Sequence, residues 1–180
     1  MSLLFFNPYV IQSGPQKWPP INIPVASWAG TAPTFTYTVS GQSYGNGLYT
    51  ITSSPLAIST YNVRQLFDGV VTDVGISYYY TSTPNFIQIQ LPTTMVLKSY
   101  RLFPLNTFYA TPTAWNIQGS TDGSTFTTID TRTASSFQSA YTTGVLFTLT
   151  GNTTPYSYYR MNMTSPTTGN LYIKQWQLFS

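Results

Sequence analysis

The sequence predicts an all-β protein, a two-sheet β-sandwich entered by an extended N-terminal arm, and three observations carry that reading. Apolar residues recur with a period of two in several short segments and nowhere with the 3.6 of a helix. Charged residues make up only 6% of the 180, against about 25% in an ordinary soluble domain. Ser, Thr, Asn and Gln must therefore cover the surface, which suits strands and turns better than helices. Finally, residues 1–33 carry prolines at positions 8, 15, 19, 20, 24 and 33, a pattern the rest of the chain does not share. The length fits one sandwich, residues 34–180, behind that arm.

The elements follow in chain order. In residues 1–33 the prolines forbid a regular helix and confine any strand to an edge. Phe5, Phe6, Trp18, Ile21, Ile23, Val25 and Trp28 would be costly to leave in water, so the arm has to lie on its own domain or on a neighbour. Phe5, Phe6, Trp18 and Trp28 are the side chains expected to reach a protein partner. Segments 35–39 and 47–52 read as strands, and a turn is expected near Asn62 to Phe67. Phe86-Ile-Gln-Ile-Gln-Leu91 puts Ile87, Ile89 and Leu91 on one face and is expected to end at Pro92. Strands at 97–103 and 114–119 come next.

Thr121-Asp-Gly-Ser124 then reads as a hairpin turn, because Asp-Gly supplies the positive φ that a tight turn needs, with Asp122 bonded to its own backbone. Trp115 and Ile117 before the turn and Phe126 and Ile129 after it do not keep one parity, which predicts a bulge in the second strand, 125–130. Val145, Phe147 and Leu149 alternate, as do Tyr159, Met161 and Met163 around Arg160, and 171–179 closes the domain. An arginine in such a strand needs a partner, and Asp68 or Asp130 is expected to supply it.

Composition narrows the function classes. With no His, no Cys and four acids, all aspartates, proton transfer or attack would fall to Asp, Lys, Tyr, Ser and Thr. A glycosidase would need two of Asp68, Asp73, Asp122 and Asp130 paired, so the chain is not expected to be an enzyme. The net charge of +3 comes from Lys17, Arg64, Lys98, Arg101, Arg132, Arg160 and Lys174, scattered singly, and nucleic acid is not an expected partner. No segment approaches the roughly 18 apolar residues of a membrane span. The opening apolar run stops at Asn7-Pro8, so a protein soluble as made, or assembled from the cytoplasm, is expected.

Leu66-Phe-Asp-Gly69 admits two readings. In one it is a calcium loop, with Asp68 and Asp73 joining backbone carbonyls around a hard cation; in the other it is a turn in which Asp68 caps exposed amides or pairs with an arginine.

Taken in order, Leu66-Phe-Asp-Gly69, Phe86–Leu91, Trp115-Asn-Ile-Gln-Gly-Ser-Thr-Asp-Gly-Ser-Thr-Phe126, Tyr159-Arg-Met161 and Ile173-Lys-Gln-Trp-Gln-Leu-Phe179 resemble the discoidin or coagulation factor 5/8 C-type domain. The resemblance covers roughly residues 44–180. It implies a galactose-binding-like jelly-roll β-sandwich whose loops at one end bind glycans or lipid headgroups, commonly with a structural calcium. The chain departs from that pattern in three places. Val74-Gly-Ile-Ser-Tyr-Tyr-Tyr80 stands where the family often has a Trp, Gln175 stands where calcium-binding members have a Glu, and there is no His for a sugar.

Tyr78, Tyr79 and Tyr80, with Phe108 and Tyr109 of the segment Phe103–Pro112, are the candidate ligand site, since aromatic rings bind the apolar faces of sugars and also anchor protein interfaces. Strand alternation turns either Tyr79 or its two neighbours inward. The segment Tyr44-Gly-Asn-Gly-Leu-Tyr49 is similar in style to discoidin-like proteins of large DNA viruses. With the apolar arm and the low charge, this leads to the expectation of a non-catalytic structural component of a virion or capsid. A free glycan- or lipid-headgroup-binding module, acting at an extracellular surface, is the alternative.

Overall fold

The computed structural model describes residues 14–54, 63–71, 76–80, 85–104, 111–133, 140, 142–165 and 169–180, with the backbone alone at 76–80, 85, 164–165 and 169–171. Its strands are β1 (Lys17–Trp18), β2 (Ala29–Thr31), β3 (Thr34–Val39), β4 (Gly47–Ser54), β5 (Ile76–Tyr80), β6 (Asn85–Met95), β7 (Ser99–Pro104), β8 (Ala114–Ser120), β9 (Thr127–Thr133), β10 (Val145–Thr148), β11 (Tyr156–Ser165) and β12 (Gly169–Phe179). They form two antiparallel sheets. One is five-stranded, β1-β12-β7-β10 with β5 also on β12; the other is seven-stranded, β2-β3-β4-β6-β11-β8-β9.

Period-two sequence sets the two inner faces. Ile51, Ile87, Ile89, Trp115, Ile117, Tyr159, Met161 and Met163 of the larger sheet pack with Tyr100, Leu102, Trp176 and Leu178 of the smaller one. Each side chain removed from water contributes about 1.5–3 kcal/mol, and the alternation excludes a one-residue slip, which would turn all of them outward.

The first departure from expectation concerns residues 14–33. Trp18, Ile23 and Trp28 are buried in the core of the chain itself. Trp18 pairs with Leu178 through β1 and packs on Tyr44, with ring centroids 5.5 Å apart; Trp28 lies between Tyr37 and Phe67 at 5.9 and 6.3 Å. These two tryptophans complete the sandwich and are not available to a partner. Phe5 and Phe6 lie outside the described residues.

Other differences are local. Strand β6 runs through Pro92 to Met95, because its ladder with β4 ends at Thr50↔Gln90 and a missing N–H beyond that point costs no bond on that side. The segment between β8 and β9 is a six-residue loop, 121–126, so the second strand starts later than expected. Its bulge falls as predicted: Ile117 faces Asp130 and Gln118 faces Thr128, which leaves Ile129 as the extra residue of β9. The turn near Asn62 is a short 3-10 helix, Val63–Phe67.

Arg160 takes neither expected acid. Its guanidinium bonds Gln88 Oε1 at 2.8 and 3.2 Å and lies 4.1 Å from the ring centroid of Phe86 and 3.6 Å from that of Phe126. Two ring faces and an amide oxygen satisfy the cation on the outer side of the larger sheet, where no buried carboxylate is needed.

Candidate functional site

Strand register shows which segments share an end of the sandwich. In the larger sheet Ser54 lies opposite Phe86, Met163 opposite Asn85, Ser165 opposite Ala114, and Ala114 opposite Thr133. There β4, β9 and β11 finish, and β6 and β8 begin. Strand β11 ends there at Ser165, and β12 begins at Gly169, four residues later in sequence. In the smaller sheet Ile173 pairs with Ile76 on one side and with Pro104 on the other, so β5 continues beyond the end of β7 until Tyr80 faces Gly169.

The backbone of Tyr78, Tyr79 and Tyr80 is therefore at this end, opposite Leu171, Asn170 and Gly169. Pro104, where β7 stops, is across β12 from the start of the tyrosine strand. Phe108 and Tyr109 follow Pro104 in sequence but lie outside the described residues.

The Asp68 motif occupies the neighbouring edge. On one side of β12, β5 pairs with residues 169–173 and β1 with 178–179; the 3-10 turn and the residues after it pack beside the stretch between. A bulge there, between the pairs Ile173↔Pro104 and Gln175↔Phe103, makes Lys174 the extra residue, and both Lys174 and Gln175 are buried.

The Gln175 side-chain amide donates to the Gln65 carbonyl and to Asp68 Oδ1, both at 2.6 Å, with the Val70 carbonyl at 3.5 Å. Its oxygen accepts from the Gly69 N–H at 3.1 Å. Asp68 Oδ1 also accepts from the Val70 N–H at 2.8 Å, and the Lys174 ammonium donates to the Val71 carbonyl. Gly69 has φ +74°, and a β-carbon on it would meet Asn22, so only glycine fits the turn.

These residues do not suit calcium, which takes about 6–8 oxygen ligands. One carboxylate and two carbonyls converge, but they converge on N–H donors. Asp73 lies outside the described residues, and among the described residues no group of three His, Cys, Asp or Glu side chains gathers.

The other described acids, Asp122 and Asp130, serve structure. Asp122 Oδ1 accepts from the Ser124 and Thr125 N–H groups at 2.8 Å each and from Ser120 Oγ at 2.9 Å. The bonds from Thr125, Ser124 and Ser120 hold its carboxyl well below the usual carboxylate range. Asp130 Oδ2 accepts from Arg132 at 2.7 Å and from the Tyr100 hydroxyl at 2.8 Å, and that hydroxyl in turn accepts from the Trp115 indole at 2.9 Å.

The sequence marked Gln175 only as a departure and Lys174 only as one of the scattered charges. The signal was there: apolar parity along β12 is odd at Ile173 and even at Trp176 and Leu178, which a bulge between them explains.

No family model matches the sequence, and no curated protein matches it. Solved structures do share its fold. A chitosan-binding module of a chitosanase/glucanase from Paenibacillus sp. IK-5 matches with TM-score 0.58 at 21% identity, over 72% of this chain and 92% of that one. A family 32 carbohydrate-binding module from Clostridium perfringens, in complex with galactose, matches with TM-score 0.59 at 10% identity, over 73% and 93%. The F5/8 type C domain of a Bacteroides fragilis protein matches with TM-score 0.59 at 12% identity, over 73% and 91%. The chain has the discoidin-like β-sandwich fold that these domains share.

Proposed function

We propose that this chain is a non-catalytic carbohydrate-binding module. Its sugar site is the sandwich end reached by the backbone of Tyr78, Tyr79 and Tyr80; Phe108 and Tyr109, outside the described residues, are the further candidates. One observation carries the reading: in a fold shared with modules solved with galactose or named for chitosan, the tyrosine strand β5 extends beyond the end of β7 and pairs with β12 as far as its first residue, Gly169. Tyrosine offers a sugar a flat apolar face for its C–H groups and a hydroxyl for its polar edge, at the cost of ordering only two torsions.

The described acids support the absence of catalysis. Asp68, Asp122 and Asp130 each accept hydrogen bonds from neighbouring groups of the chain, and they lie in three different parts of the fold. The assembly role keeps a narrower basis, because Trp18 and Trp28 are buried within the sandwich.

A glycan array probed with the intact chain, beside a Tyr78→Ala/Tyr80→Ala variant and a Tyr79→Ala variant, tests the proposal. Binding to a defined set of glycans is expected, reduced at least tenfold in one of the two variants. An array that stays blank for the intact chain, or identical binding by all three proteins, would refute it.

A further inference from the structure

The resemblance to discoidin domains implies a calcium at the loop after the 3-10 turn, and the residues present hold that loop in another way. The Gln65 carbonyl, the Val70 carbonyl and Asp68 Oδ1 aim at one point, as ligands of a cation would, and the point is Gln175 Nε2. Oxygens brought together without positive charge or hydrogen between them repel one another. A carboxamide nitrogen brings two hydrogens, which account for the two 2.6 Å bonds. The same group's oxygen takes the Gly69 N–H, a bond that a metal ion could not make.

Beside it, Lys174 is buried despite its charge and places its ammonium on the Val71 carbonyl. Successive residues of a regular strand point to opposite faces. The extra residue at Lys174 breaks that rule and lets two neighbours serve one loop.

We propose that the Gln175 amide and the Lys174 ammonium are a built-in replacement for the cation, so that residues 65–71 and the sheet edge they cover are held without metal. This goes beyond the glycan reading and does not depend on it.

The test is thermal unfolding of the full chain in millimolar calcium chloride and in EDTA, with terbium luminescence as a separate measure of cation binding. The unaltered chain is expected to melt at the same temperature in both solutions and to give no terbium signal excited through Trp176. In Gln175→Glu an acceptor replaces the donor among acceptors. Its Tm is expected to fall in EDTA and to recover in calcium, with terbium luminescence appearing. Gln175→Ala should lose stability equally in both. A Tm of the unaltered chain that rises with calcium, or a saturable terbium signal on it, would overturn the proposal. So would a Gln175→Glu protein that calcium does not restore, whether it melts low or fails to fold, because the oxygens would then not be placed for a cation.

Discussion

Tyr100 shows how a single hydroxyl joins the two sheets. It donates to Asp130 and accepts from the Trp115 indole, while its ring stacks on Phe147 at 5.1 Å. Tyr100→Phe keeps the ring but removes the hydrogen bonds that its hydroxyl donates to Asp130 and accepts from Trp115, and a loss of about 1–3 kcal/mol in denaturant unfolding is expected. Burial, the first cause, pushes the Tyr100 hydroxyl well above its ordinary value, and the bond to Asp130 adds to it; burial does the same for Tyr49 and Tyr159. A raised folded value means that stability is fully present below the unfolded pKa, about 10, and is lost as pH climbs through the folded values. Unfolding and tyrosinate absorbance should therefore rise together above that pH.

Asp122 has the opposite sign: its folded pKa is depressed, so its contribution is present above about pH 4 and fades as the solution becomes more acid. Asp122→Ala should lower Tm at neutral pH, with the gap closing toward strong acid. The role of Asp122 was legible because Asp-Gly carries its own local chemistry. The partner of Arg160 was not, because Phe86 and Phe126 stand 74 and 34 residues away from it and meet it only across the sheet.

At the scale of elements, long alternating segments were readable and short ones were not. Strands β6, β8 and β11 declare themselves through apolar parity, whereas β1 and β2, two and three residues long, exist only because β12 and β3 offer them an edge. Prolines around Trp18 pointed to an arm, and an edge strand of two residues is compatible with them. At the tyrosine run strand alternation was expected, but the bounds of β5 were not, because three tyrosines in a row carry no contrast between faces.

The packing of β1 and the following turn has a consequence for truncation. A chain that starts at Thr34 loses Trp18, Ile23 and Trp28 from the core and should fail to give a cooperative melt. Trp28→Ala in the full chain should cost about 3–5 kcal/mol by denaturant unfolding. A stable, cooperatively folded 34–180 fragment would show that the arm is dispensable to the sandwich.

For the molecule as a whole, the two-sheet architecture was visible in periodicity and composition, and the discoidin resemblance in five motifs agrees with the fold observed. Function was less legible, since a fold does not by itself fix a function and the residues of a site come together only through the whole fold. The tyrosine strand, the end of β7 at Pro104 and the start of β12 are far apart in sequence and are brought together through strand register.

That convergence is the central claim, and amide chemical-shift mapping of the labelled chain, titrated with galactose and with chitosan oligosaccharides, tests it most directly. Saturable shifts confined to β5, the start of β12 and the residues after Pro104 are predicted for at least one sugar. Shifts clustered instead on the outer face of the seven-stranded sheet, or none at millimolar sugar, would contradict it.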